Sequence, residues 1–278
     1  YGLKPSFGRV PAYPASPFGT LAHAGPMSRT VTDAALMLDV ISQPDTRDWR
    51  SLPPTNSDYR GSLDPDMKDK KIALCPDLGL GIKINSEIAD SLAAVANCFK
   101  SLGATVDTPK LEWPADPREV IVIYFASGAA LMASMLTSAQ RDLLEPTLID
   151  MVEHGEKLNM LSVKAAESDR VANGIYMNKF FTTYDFLICP TLPIVAFDAG
   201  APNPPEYKDD TLGWTPLTGP FNLTGQPAAS IPCGFDKGGL PIGLQIVGSM
   251  YDDAGVLSCS LAFENARAFT NNHPPSIK

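Results

Sequence analysis

Lys71-Ile72-Ala73-Leu74-Cys75 is a short apolar run closed by Pro76, the length and composition of a buried strand. Ser86 to Leu102 follows, with Ile88, Leu92, Val95, Ala96 and Phe99 at helical spacing and Gly103 at the stop position. Ala104-Thr105-Val106 then resumes as a strand, so the stretch reads β-α-β. Further along, Phe186-Leu187-Ile188-Cys189 is a buried strand ended by Pro190. Ala228 to Ile231 and Ile242 to Val247 form two more, joined through Asp236-Lys237-Gly238-Gly239, a hairpin signal. Thr30-Val31-Thr32-Asp33 has capping-box spacing before a helix with Ala34, Leu36, Met37, Val40 and Ile41 on its apolar side. Long helical segments run from about Arg118 to Phe181, and a last helix covers Asp253 to Phe269. Strands alternating with helices predict α/β architecture, a mixed sheet flanked by helices on both faces. Residues 1–26, with Pro5, Pro11, Pro14, Pro17 and Pro26 and four glycines, read as irregular extended chain ordered only against something else. Gln43 to Asp66 and Asp198 to Pro220 read as loops.

The 278 residues carry 22 basic and 31 acidic side chains, a net charge of −9, which argues against a phosphate-backbone partner. Val120 to Ala139 is uncharged over a membrane-span length. Ser127, Gly128, Ser134, Thr137 and Ser138 interrupt it and no aromatic or basic belt flanks it, so a buried helix is expected. Five widely spaced cysteines without a C-x-x-C pair predict reduced thiols and a cytoplasmic protein. His23, His154 and His273 lie at no ligand spacing, so no metal site is expected.

Candidate nucleophiles are few. There is no G-x-S-x-G, and His154 sits in a polar helical stretch between Glu153 and Glu156, a poor triad base. Cys189, beside a rigid Pro-Thr-Leu-Pro turn, is better placed, although buried strand cysteines are mostly small hydrophobes. Gly79-Leu80-Gly81 lacks the third glycine and prompt helix of a dinucleotide fingerprint.

Three segments are more specific. Tyr1-Gly2-Leu3-Lys4-Pro5-Ser6-Phe7-Gly8-Arg9-Val10 is followed by Gly25-Pro26-Met27-Ser28-Arg29-Thr30-Val31. Tyr184-Asp185-Phe186-Leu187-Ile188-Cys189-Pro190-Thr191-Leu192-Pro193 lies in the middle. Asn222-Leu223-Thr224-Gly225-Gln226-Pro227-Ala228-Ala229-Ser230-Ile231-Pro232 and Gly239-Leu240-Pro241-Ile242-Gly243-Leu244-Gln245-Ile246-Val247-Gly248 close the series. In this order they resemble the amidase signature family, loosely in the middle of the chain and tightly at both ends.

The resemblance implies hydrolysis of a carbon–nitrogen amide bond by Ser–Ser–Lys chemistry, without cofactor. A neutral, desolvated lysine draws a proton through a bridging serine, and a second serine attacks the carbonyl. In that family all three residues precede the G-L-K-P segment, so residues 1–278 are expected to be the C-terminal portion of a single amidase domain. That expectation leaves no catalytic residue in this chain. Lys4 belongs to the G-L-K-P match and is not the family's base. The seam predicts pairing of two chains, a homodimer, or retention of the missing N-terminal portion as a partner.

The resemblance further implies an acyl pocket walled by Leu212, Trp214 and Thr215, with Tyr124 and Phe125 as its aromatic side. Thr191 sits at a strand end, where α/β sheets place ligands. Relatives that use glutamine for transfer-RNA amidation carry an acidic residue seven positions before Asn222, which here is Thr215. Without that carboxylate, free glutamine loses an anchor for its ammonium group. Arg170 falls where those relatives keep an arginine for the α-carboxylate, yet a helical arginine is usually solvated or salt-bridged. The expected substrate is therefore a small uncharged acyl or aryl amide. Glutamine-using subunits of the same fold and a non-catalytic assembly module are the alternatives.

Overall fold

Buried strands form where apolar runs are bounded by turn residues, and here six strands assemble across the sheet in the order β1 (Gly2–Lys4), β5 (Ala228–Phe235), β6 (Pro241–Gly248), β4 (Phe186–Pro190), β2 (Lys71–Leu74), β3 (Thr105–Asp107). The computed structural model describes residues 1–54, 58–207 and 212–269, so parts of the two expected loops, 55–57 and 208–211, lie outside the described residues. β2 (Lys71–Leu74), β3 (Thr105–Asp107) and β4 (Phe186–Pro190) pair in parallel, with β2 between the other two. β5 (Ala228–Phe235) and β6 (Pro241–Gly248) form the antiparallel hairpin, and β6 docks antiparallel on β4. The Asp236–Gly239 turn closes with Asp236 N–H donating to Leu240 O over 2.9 Å.

β1 (Gly2–Lys4) has no strand signal in the sequence. It pairs antiparallel with β5, Gly2 opposite Ser230 and Lys4 opposite Ala228, so the support the proline-rich start requires comes from more than 200 residues away.

The two faces of the sheet follow the period of two along each strand. One face carries Ile72, Ile188, Ala229, Ile231 and Ile246 against α1 (Val31–Ile41), α2 (Ser86–Ser101) and α8 (Asp253–Ala266). The other carries Ala73, Leu187, Cys189, Ala228 and Val247 against Met177 of α6 (Met160–Phe180) and Phe221 of α7 (Gly219–Thr224). Helices thus cover both faces of a mixed six-stranded sheet. Thr30 caps α1 by accepting from Asp33 N–H, and Gly225, at φ +82°, ends α7 in the left-handed region that a side chain would strain.

The uncharged run at Val120 belongs to α3 (Pro117–Ser134), which packs on α5 (Pro146–Glu156) and α6. A short α4 (Ser138–Arg141) connects α3 to α5. The α3–α5 approach is close: a side chain at Gly155 would place its Cβ 2.0 Å from Ala126 O. Among the described residues, no helix is long and apolar enough to cross a membrane.

Candidate active site

Two hollows share Asn222 in their walls. The larger, a cavity of about 780 Å³, is walled by α3 (Ile121, Val122, Phe125), by Phe18, Leu21 and Ala22 of the opening segment, and by Leu212, Thr215, Pro216 and Pro220. Phe18 and Phe125 stack at 4.7 Å between ring centres, giving an aromatic wall. Polar groups stand at its margins. Arg118 holds Asp116 through paired hydrogen bonds of 2.6–3.1 Å. Burial raises the Asp116 pKa, but those bonds outweigh it and hold the carboxyl below its ordinary range. His154, placed there by α5, and Glu119 complete the margin.

The second hollow, of about 410 Å³, sits over β1, β5 and β6 and is lined by Gly2, Lys4, His23, Thr191, Thr218, Ser230 and Gln245 among others. Lys4 Nζ donates to the Gln226 and Pro5 carbonyls. Burial pushes its pKa down to about 7, with the Asp253 carboxylate pulling the other way. The His23 ring donates from Nδ1 to Leu21 O over 2.9 Å, and burial, then the Lys4 charge, lower its pKa to about 3. Asn222 joins the two hollows and is fixed by Nδ2 donating to Leu21 O over 2.8 Å.

The six residues expected to bind substrate separate on this geometry. Leu212, Thr215 and Phe125 line the larger cavity, and Thr191 lines the second hollow. Tyr124 instead lies under the Arg170 guanidinium, 5.0 Å from ring centre to Cζ. Adjacent helical residues point about 100° apart, so Tyr124 cannot share the direction of Phe125. Trp214 is not among the residues lining the cavity, and its ring meets Phe197 edge to face at 5.3 Å. Thr215 Oγ1 donates to Leu212 O over 3.1 Å, which closes that turn.

Arg170 is spent inside the fold. Its guanidinium donates to Leu223 O, Thr20 Oγ1 and Thr20 O. Cys189 is fully buried, its thiol pushed up to about 12 by burial and partly drawn back by the Gln245 hydrogen bond, an environment that disfavours a thiolate nucleophile. Among the described residues, no group of three or more His, Cys, Asp or Glu is placed to hold a metal.

Sequence reading missed Phe18, Ile121, His154, Ser230 and the Lys4 environment. Asn222 and Ser230 carried a signal, since both stand inside a quoted segment, whereas Phe18 lies in chain without periodicity.

The family described as Amidase matches residues 1–257. This chain belongs to the amidase family. Among amidase relatives, it is 31% identical over 280 residues to an acylamidase of Rhodococcus erythropolis, covering 98% of this chain and 58% of the relative. It is 32% identical over 303 residues to a subunit of the glutamyl-tRNA(Gln) amidotransferase of Halalkalibacterium halodurans, covering 98% and 61% respectively. The crystal structure of a bacterial aryl acylamidase of the amidase signature family superposes with a TM-score of 0.83 at 29% identity, covering 96% of this chain and 58% of that one. The chain thus spans about three fifths of the length of these amidases.

Proposed function

We propose that the protein to which this chain contributes hydrolyses the amide bond of a small uncharged acyl or aryl amide. The observation that carries this reading is the 780 Å³ cavity walled by Phe18, Phe125, Ile121, Leu212 and Pro216. Its size suits a small organic group, and its walls reward an apolar one. The engagement of Arg170 with Leu223 and Thr20 further supports an uncharged substrate, because three of the five guanidinium N–H groups are already held by the fold. In this reading the acyl or aryl group fills the larger cavity, and the amide lies toward Asn222 and the second hollow. The nucleophile serine, bridging serine and base lysine, which the resemblance places before the G-L-K-P segment, come from outside residues 1–278. The 278-residue chain by itself then has no turnover. The reduced-thiol reading of the five cysteines supports a cytoplasmic setting.

Similarity to amidotransferase subunits supports a second reading, in which glutamine supplies the amide. One experiment separates the two. The full-length enzyme is assayed on acetanilide and on glutamine, each as wild type and as Thr215→Asp. Hydrolysis of the anilide is expected, reduced at least tenfold by the substitution, since a carboxylate without a cationic partner is costly in an apolar wall. Preferential glutamine turnover, or unchanged anilide kinetics in the variant, overturns the proposal.

A further inference from the structure

One row of residues crosses the sheet beneath the second hollow. Gly2 of β1 is opposite Ser230 of β5, Ser230 is opposite Gln245 of β6, and Gln245 is opposite Cys189 of β4. In this row Gly2 offers no side chain. Gln245 has used both of its amide hydrogens, with Nε2 donating to Leu217 O over 2.8 Å and to Cys189 Sγ over 3.1 Å. Cys189 is the acceptor of that contact and is sealed in the core. Ser230 differs from its neighbours.

The Ser230 hydroxyl meets the Thr191 hydroxyl at 2.8 Å, and both line the hollow. Two hydroxyls carry two hydrogens, and a single hydrogen bond between them consumes one. The other hydrogen has no acceptor among the described residues. The surrounding backbone reserves space for this pair. Thr191 N–H donates to Gly243 O over 2.8 Å, which brings the end of β4 against β6. A Cβ at Gly243 would lie 2.8 Å from Thr191 Oγ1 and 3.3 Å from Ser230 Oγ. Three strands thus converge on two hydroxyls, and the glycine keeps their place open.

We propose that Ser230, paired with Thr191, is a substrate-binding residue whose spare hydroxyl hydrogen is donated to the carbonyl oxygen of the bound amide. This rests on the amide-hydrolase reading above and assigns to that site a contact with a defined atom. A carbonyl oxygen has two lone pairs, so this bond coexists with donors supplied by other parts of the enzyme. The ligand class follows: a group that offers a neutral oxygen acceptor toward the hollow and an apolar body toward Phe18 and Phe125.

The test uses the full-length enzyme and a pair of substrates that differ in the acceptor alone, acetanilide and thioacetanilide, because sulfur accepts hydrogen bonds weakly. Ser230→Ala is expected to reduce the preference for the oxygen substrate, as the kcat/KM ratio of the two, by about fivefold to tenfold. Thr191→Val should do the same, whereas Thr191→Ser should keep the ratio. A general loss of structure would lower both rates and leave the ratio in place. If Ser230→Ala does not fold, the two Thr191 variants decide. An unchanged ratio in Ser230→Ala and Thr191→Val overturns the assignment while leaving the amide-hydrolase reading intact. A wild-type enzyme that hydrolyses neither substrate removes that reading, and this assignment with it.

Discussion

Replacing Gly155 by alanine tests whether the wall of the apolar cavity depends on the close approach of α5 to α3. The new Cβ would sit 2.0 Å from Ala126 O, 2.6 Å from Ala126 C and 2.8 Å from Ala130 Cβ. Two of those atoms are backbone, which cannot rotate aside, so the helices must part by roughly 1 Å before even a tight contact is reached. Overpacking of this kind costs about 1–3 kcal/mol. Against it stands the gain of replacing a helical glycine by alanine, about 1 kcal/mol in a helix interior and less here, one residue from the end of α5. The net expectation is a loss of about 1–2 kcal/mol. Gly174, inside α6 with nothing within 4 Å of its would-be Cβ, provides the control. There the propensity gain acts alone, and Gly174→Ala should stabilise by about 0.8–1 kcal/mol. The two alanine variants should therefore differ by about 2–3 kcal/mol in urea unfolding at unchanged m-value. Because His154 and Phe125 flank the contact and line the cavity, Gly155→Ala should also weaken binding of an apolar amide. A Gly155→Ala protein as stable as Gly174→Ala would refute the close packing and the cavity wall built on it.

Three further outcomes follow from buried charge. The folded-state pKa of Lys4 is depressed to about 7 from 10.5, so above pH 7 the folded chain releases a proton that the unfolded chain keeps. Its contribution to stability rises with pH, by up to about 1.4 kcal/mol per unit between pH 7 and 9. Above that the buried thiols of Cys75, Cys189 and Cys259, whose pKa values burial raises, act in the opposite sense. Denaturant unfolding across pH 7–9 checks this, and Lys4→Met should flatten the slope. Asp253 is fully buried, accepts from Ser6 N–H over 2.7 Å and faces Arg9 Nε at 3.6 Å. Asp253→Ala should cost roughly 3–5 kcal/mol by thermal or chemical unfolding, since it strands the buried Arg9 charge. Native-state thiol labelling read by mass spectrometry should modify the half-buried Cys98 first and spare Cys189, and Cys189→Ala should leave amide hydrolysis unchanged.

Local chemistry made much of the fold readable. β2, β4, β5 and β6 are apolar runs bounded by Pro or Gly, and Asp236–Gly239 is a turn whatever surrounds it. Thr30 caps α1 with an atom three residues from its partner, and α2 shows its buried stripe in the spacing from Ile88 to Phe99. The order of the quoted segments likewise pointed to the family without any coordinates. Other features depended on contacts between distant residues. β1 is three residues without a period of its own, and it becomes a strand because β5 offers free backbone groups at Ala228, Ala229 and Ser230. The split of Tyr124 from Phe125 is decided by which partner each meets, Arg170 for one and Phe18 for the other. The same holds for Arg170, whose charge is satisfied by carbonyls 53 and 150 residues away. A hydroxyl at position 230 reads as an ordinary strand serine until Thr191 and the bare Gly243 come to stand beside it. Propensity and turn chemistry act over a few residues and are written in the sequence; the direction of a side chain and the satisfaction of a buried polar group depend on neighbours supplied only by the folded chain.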